Sequence, residues 1–224
     1  MSKYRRLETL NTIIEVGLIP LFYQQDIDVS IKIIDACLEG GARVIEFTNR
    51  GDGAHLVFEK IINHYKDHPT LILGSGSIMD AGTASLFIQL GSNFVVSPIL
   101  NEDVAFTCNL RKVPFFPGCG NVNEISHAEK LGVEICKYFP GGIGGPSFIK
   151  NISGPMPWTQ IMPTGGVTLE EKNITDWIKA GAVAVGIGSH LITKEAVSKG
   201  DYSTITKNVQ TALSWIRSAR ESLK

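Results

Sequence analysis

Surplus charge of either sign is the first thing this 224-residue chain lacks, since 21 Lys and Arg face 22 Asp and Glu for a formal net charge of −1. Nothing in that balance would draw the chain to a phosphate backbone or an anionic membrane, so neither a nucleic acid nor a membrane is expected as partner. Long apolar runs are missing too, and no stretch approaches the roughly 18 residues that a membrane-crossing helix needs. Lys3, Arg5 and Arg6 imitate the start of a secretion signal, but Asn11, Thr12 and Glu15 interrupt the apolar stretch that should follow. No export signal is expected. Cysteine is scarce: Cys37, Cys108, Cys119 and Cys136 form no C-x-x-C pair, which suits reduced thiols and a cytoplasmic setting. In that setting the sequons at Asn151 and Asn173 carry no weight. The 5 histidines show neither H-x-H nor H-E-x-x-H, and no metal is expected. Pro/Ser-rich linkers and low-complexity tracts are absent, so residues 1–224 are expected to form one domain. At 43% hydrophobic residues the chain can build a packed core, which excludes disorder.

What is present is a rhythm. Short aliphatic runs begin at Gly17, Arg43, Leu71, Asn93, Val113, Glu134, Gln160 and Ala184, about 24 residues apart. That spacing suits one strand, one helix and two short loops. Helix-like stretches lie between them, among them 30–39, 54–65, 81–90, 123–131 and 170–180. Alternation of this kind predicts parallel strands, and the nearly continuous apolar character of the runs predicts burial on both faces. Glycines at 40–41, 91, 132 and 181 stand just before strands, where a left-handed C-cap ends a helix. Eight such units predict an α/β fold, a single (β/α)8 barrel, with an open doubly wound sheet as the alternative. Leu7, Leu10, Ile13 and Ile14 fall at helical spacing and are expected to form an N-terminal helix capping one barrel end, while 202–223 reads as the closing helix. Trp158, Trp177 and Trp215 are expected to pack.

In such barrels the chemistry collects at the C-terminal ends of the strands. The second run ends Glu46-Phe47-Thr48-Asn49-Arg50, and strand alternation puts Glu46, Thr48 and, if the strand persists, Arg50 on one side. These residues suit either a structural ion pair or a carboxylate and a guanidinium facing one cavity. The sixth run carries Lys137 inside Glu134-Ile135-Cys136-Lys137-Tyr138-Phe139-Pro140, where its ammonium would be largely removed from water. Desolvation and a nearby cation both favour the free amine, the form that attacks ketones. The competing reading is a buried lysine neutralised by Glu46 or Glu134. Glycine-rich segments follow at 74–77, at Pro163-Thr164-Gly165-Gly166 and at Gly186-Ile187-Gly188-Ser189. The last two belong to the seventh and eighth runs, the usual place for a phosphate on this fold. His190, beside that segment, reads as a ligand contact or as a surface residue. Cys119 and Cys136 lack a histidine partner, so neither is expected to be a nucleophile.

Taken in order along the chain, E-F-T-N-R, G-S-G-S, P-G-C-G, K-Y-F-P, P-T-G-G and G-I-G-S resemble the 2-dehydro-3-deoxy-6-phosphogluconate (KDPG) and 4-hydroxy-2-oxoglutarate (KHG) aldolases. The resemblance runs from about Leu18 to the final helix. It implies a class I aldolase on a trimeric (β/α)8 barrel that needs no cofactor beyond the imine formed on its own lysine. Lys137 would form that imine, Glu46 would act as general acid and base, and Arg50 would bind the substrate carboxylate. Ser77 stands where the family commonly has a threonine at the pyruvate end, and it keeps the hydroxyl while losing a methyl. Thr164, Gly165, Gly166, Gly188 and Ser189 would hold the phosphate. The segment Gly141-Gly142-Ile143-Gly144-Gly145 is richer in glycine than the family's usual loop, which suggests a mobile lid.

The implied substrate is a phosphorylated 2-keto acid, split into pyruvate and glyceraldehyde 3-phosphate. The galactonate-derived epimer and 4-hydroxy-2-oxoglutarate remain open as substrates. A phosphosugar isomerase, epimerase or thiamine-phosphate-type synthase could use the same barrel and phosphate loops, but these would not be expected to form a reducible adduct with pyruvate. A non-catalytic barrel would bind a phosphorylated acid without cleaving it.

Overall fold

A computed structural model describes residues 2–223. The chain runs α1 (Arg6–Val16), β1 (Leu18–Phe22), α2 (Ile27–Glu39), β2 (Val44–Thr48), α3 (Ala54–His64), β3 (Ile72–Gly76), α4 (Ala81–Leu90), β4 (Val95–Val96), α5 (Glu102–Arg111), β5 (Phe115–Phe116), β6 (Gly118–Cys119), α6 (Val122–Lys130), β7 (Cys136–Tyr138), α7 (Gly145–Ser153), β8 (Ile161–Pro163), α8 (Glu171–Lys179), β9 (Val185–Ile187), α9 (Lys194–Lys199) and α10 (Tyr202–Glu221). All eight aliphatic runs contain strand. Three helices, α5, α7 and α9, lie outside the helix-like stretches legible in the sequence. Asn101 caps α5, its side chain accepting from Val104 N at 3.2 Å, and Thr193 caps α9, accepting from Ala196 N at 3.1 Å. Such caps satisfy amides that the first turn leaves free. Gly41, Gly91, Gly132 and Gly181 all have positive φ at helix ends.

The result is an α/β fold with a curled parallel sheet in two pieces. Six strands follow the order β5-β4-β3-β2-β1-β9 and three follow β6-β7-β8. Apart from the β1–β9 pairing the order tracks the chain, whereas a doubly wound sheet reverses its order at a switch point. The break lies within the fifth run. Pro117 has no N–H to donate, and it divides the run into β5, which pairs with β4, and β6, which pairs with β7. Pro117 O accepts from Lys137 N at 3.0 Å, a bond to the second piece, while the chain itself runs through Pro117 from the first piece into the second. At the other seam Val183 N donates to Ile161 O at 3.0 Å, and Thr164 bridges Gly186 in parallel.

Strand alternation sorts the apolar residues into two clusters. Leu18, Ile45, Leu73, Val95, Phe115, Cys136, Ile161 and Val185 face the helices. Their neighbours Ile19, Val44, Ile72, Phe94, Phe116, Ile135, Met162 and Ala184 gather on the inner side of the curl, and Leu10 and Ile13 of α1 join them there. Leu7, expected on the same apolar stripe, is 72% exposed instead. It falls in the first turn of α1, where Arg6 leads outward to Glu134. Trp177 is buried and Trp215 packs partly against the outer cluster. Trp158, also expected to pack, is 68% exposed, because the segment before β8 runs over the surface.

α1 is fastened from the far end of the chain. Arg220, near the end of α10, donates from Nη1 to Glu15 O at 2.7 Å, and from Nη2 to Ile14 O at 2.8 Å and Val183 O at 2.7 Å. A cation bonded to the last carbonyls of a helix also complements its dipole. Replacing Arg220 by Ala is therefore expected to cost about 2–3 kcal/mol, the order of a few charge-assisted bonds in a partly exposed setting. The check is a urea titration, where the midpoint should fall with its slope unchanged.

Candidate active site

Two inward positions carry ionisable groups instead of aliphatic ones. In β2, alternation from Val44 turns Glu46 inward, and in β7, alternation from Ile135 does the same for Lys137. Register sets Glu46 opposite Gly74 and Lys137 opposite Gly118, so each long side chain lies beside a residue with no side chain of its own. Gly76 repeats the device, since a Cβ at that position would stand on the Glu46 carboxylate. The vacancy is what lets the carboxyl group fit.

Both groups are nearly sealed from solvent, at 2% exposure for Glu46 and 6% for Lys137. Burial penalises whichever form is charged. It pulls the Lys137 pKa below its ordinary 10.5, with the Arg50 guanidinium pushing the same way and the Glu46 carboxylate opposing. It pushes the Glu46 carboxyl up from 4.5 against the attraction of Lys137 and Arg50. Desolvation thus drives both groups toward their uncharged forms, a free amine and a carboxylic acid. Glu134, the other carboxylate that could have neutralised the lysine, is committed elsewhere: Arg6 Nε and Nη2 donate to it at 2.7 and 2.9 Å. The Lys137 ammonium position lies 4.8 Å from the centre of the Phe139 ring.

Beside this pair opens a cavity of about 760 Å³ lined by Arg50, Phe139, Thr164, Gly165, Gly166, Gly188, Ser189 and His190, among others. Six of the nine residues singled out from sequence therefore border one space. Glu46 and Lys137 lie beneath it, in the interior. Ser77 follows Gly76 at the end of β3, half-buried with a left-handed φ of 59°, and it is outside the lining. Arg50 and Phe139 connect the two regions, for each borders the cavity and also acts on the Lys137 amine. Phe139 went unnoticed in the sequence because an aromatic residue in an apolar run reads as packing.

The loop at 164–168 is held from behind. Asn173 Nδ2 donates to Gly166 O at 3.2 Å, and Asn173 Oδ1 accepts from Thr168 N at 3.0 Å. In front, the glycine-rich segment 141–145 lies directly on it, with Gly141 N donating to Thr164 O at 3.0 Å. Gly166 has φ of 79°, and a Cβ on it would meet Gly142 Cα and N at 2.5 Å. Only paired glycines permit backbones to approach so closely. Gly144 N donates to the Tyr138 hydroxyl at 3.0 Å, and Tyr138 stacks on Phe148 of α7 at 4.2 Å. The segment 141–145, expected as a mobile lid, makes a hydrogen bond near each end.

The cysteines are buried, and burial raises the Cys37 and Cys108 thiols to about 12. A hydrogen bond with Cys119, with burial second, likewise raises Cys136. A thiol so raised is a poor nucleophile. Among the described residues no three His, Cys, Asp or Glu side chains gather as a metal site, and no helix is long and apolar enough to cross a membrane.

Comparison with known proteins adds the following. Residues 10–208 match the family model described as KDPG and KHG aldolase. A 2-dehydro-3-deoxy-phosphogluconate aldolase of Pseudomonas aeruginosa is 28% identical over 214 residues, covering 95% of this chain and 94% of its own length. A KHG/KDPG aldolase of Escherichia coli is 28% identical over 196 residues, covering 87% of this chain and 90% of its own. Among solved structures, the KDPG aldolase of Legionella pneumophila, with pyruvate captured as a covalent carbinolamine intermediate, superposes with a TM-score of 0.82 at 25% identity, covering 90% of this chain and 96% of that one.

Nuclear magnetic resonance of isotope-labelled lysines tests the electrostatics. Lys137 is expected to titrate below the ordinary 10.5. Arg50→Met should move that titration upward, because one of the two influences holding it down is gone; a Lys137 titration unmoved by the substitution would contradict the assigned cause.

Proposed function

The chain belongs to the KDPG and KHG aldolase family of carbon–carbon lyases, and from that premise we propose that it is a class I aldolase that cleaves 2-dehydro-3-deoxy-6-phosphogluconate to pyruvate and glyceraldehyde 3-phosphate. The observation that carries the reading is Lys137 and Glu46 buried in one interior, with each group displaced toward its uncharged form. A desolvated amine at that place argues against an isomerase or synthase on the same barrel. We take the two sheet pieces, joined at Pro117 and at Thr164, as one (β/α)8 barrel closed below by α1, the whole chain as one domain, and three such barrels as the working assembly.

Catalysis begins when the neutral Lys137 amine attacks the C2 ketone. Arg50 pairs with the neighbouring carboxylate and fixes the approach, so that entropy is lost on binding and not at the barrier. The carbinolamine loses water, its hydroxyl leaving with a proton supplied by Glu46, to give a protonated imine. Glu46, now a carboxylate beside that cation, accepts the proton of the C4 hydroxyl. The C3–C4 bonding electrons then flow into the imine as the aldehyde departs, leaving an enamine. Glu46 returns its proton to C3, and water hydrolyses the resulting imine to release pyruvate and the free amine. The phosphate of the departing half rests against the amides of Gly165, Gly166, Gly188 and Ser189, with the Thr164 and Ser189 hydroxyls beside them. Ser77 contributes a hydroxyl at the pyruvate end. The acid and base are a single residue whose burial lets it hold or release a proton according to the charge on its neighbour.

Borohydride reduction in the presence of pyruvate should fix the pyruvyl carbon skeleton to the peptide containing Lys137. An adduct elsewhere, or none, sinks the reading. Lys137→Ala is expected to lower turnover on the order of 10⁴-fold or more, and Lys137→Arg should fail as well because its guanidinium keeps its proton. Gly76→Ala displaces the Glu46 carboxyl without touching the amine. It is expected to lower kcat by about 100-fold, the order of loss from an ångström of misplacement, with an unchanged circular dichroism spectrum as the check that the fold is intact.

A further inference from the structure

The cavity carries a charge that the family motifs do not account for. Its lining includes Arg50, Lys194 and His190 and no Asp or Glu, in a chain whose overall balance is −1. The site is thus cationic against a nearly neutral background. Lys194 opens α9, and its adjacent acid is already taken: Glu195 accepts from Lys199 at 2.6 Å, one turn along. Among the described residues Lys194 joins no ion pair. Its Thr193 neighbour spends its hydroxyl on the Ala196 amide, so the opening of α9 is already capped from within. Much of the remaining wall is apolar, with Val29, Ile33, Ile192 and Val197 among its residues. Low-dielectric walls strengthen the field of the charges they surround.

Two cations divided between separate elements of one cavity fit a ligand that is anionic at both ends. Arg50 follows β2 and acts on both the amine and the carboxyl group, while Lys194 follows β9 and borders the same cavity as Gly188 and Ser189. We propose that Lys194 determines specificity for a phosphorylated tail, acting as the cation that distinguishes a dianionic phosphate ester from its uncharged counterpart. This rests on the aldolase reading. It adds a charged side chain to a phosphate end otherwise built from backbone amides and hydroxyls, and an ammonium on a flexible stem suits a phosphate, which can be met from many directions. Because Lys194 is exposed, its contribution should weaken as salt rises.

The experiment compares the wild-type protein with Lys194→Met, which keeps the apolar stem, and Lys194→Arg, which keeps the charge. Three readouts are taken: the rate of pyruvate trapping by borohydride, the affinity for glycerol 3-phosphate, and kcat/KM for 2-dehydro-3-deoxy-6-phosphogluconate and for its dephosphorylated form. Lys194→Met is expected to trap pyruvate at the wild-type rate while losing about tenfold in glycerol 3-phosphate affinity and in kcat/KM for the phosphorylated substrate. The dephosphorylated substrate should change less than about twofold, and Lys194→Arg should retain most of the preference. Equal losses on both substrates, or an undiminished glycerol 3-phosphate affinity in Lys194→Met, overturn the assignment. Failure of the wild-type protein to trap pyruvate would instead strike the aldolase reading, and the glycerol 3-phosphate measurement would still decide the role of Lys194.

Discussion

Two ionisable side chains removed from water within one interior set the terms for the rest of this molecule. Neither an isolated ammonium nor an isolated carboxylate is tolerable where few polar partners are available, so the neutral forms gain ground on both sides. A lysine in water is a poor nucleophile because its lone pair is occupied by a proton. The burial that would be a liability in an ordinary core shifts Lys137 toward its free amine here. The charges that remain nearby act as trim. Arg50 opposes protonation of the amine and attracts the ionised form of the acid, so the same guanidinium that would seat a carboxylate also biases both groups.

Space follows from the same requirement. Long polar side chains can point inward only where their neighbours are small, and Gly74, Gly76 and Gly118 lie in the adjacent strands. Below that layer the interior returns to Ile, Val, Phe and Met, with Leu10 and Ile13 beneath them. The curl is thus stratified, with a dry aliphatic floor, a layer holding the amine and the acid, and above it the open cavity bordered by glycine turns. Segment 141–145 belongs to the upper layer, fixed by backbone contact with Gly165-Gly166 and by the Tyr138 hydroxyl, so that α7 and the 164–168 turn are seated against each other.

Much of this layering was readable in the sequence because each of its signals is local. An ammonium inside an apolar run is conspicuous at Lys137, the period of two relates Glu46 to Val44, and glycine before a strand announces the helix ends at 91, 132 and 181. What escaped depended on distance along the chain. Which acid stood near Lys137 could not be read from Glu134 three residues away, because its partner Arg6 lies 128 positions earlier. The division of the fifth run at Pro117 follows from a missing N–H, yet only the neighbouring strands reveal that its two halves pair into different sheet pieces. Phe139 and Lys194 look ordinary in sequence, one an aromatic in a strand and the other a charge at the start of a short helix, and they acquire meaning only from the space they border. Leu7 and Trp158 show the converse, apolar side chains whose residue type predicted burial and whose position denied it.

The fastening of α1 by Arg220 bears on how the chain matures. Residues 14 and 220 are joined by a direct bond, so during synthesis the first helix has no permanent seat until the end of α10 has left the ribosome. Contacts of such sequence separation form late and slow the search for the native state. Until then Leu10 and Ile13 have no finished interior to enter, and a nascent or prematurely terminated chain would present them to solvent, where chaperones and proteases recognise exposed apolar segments.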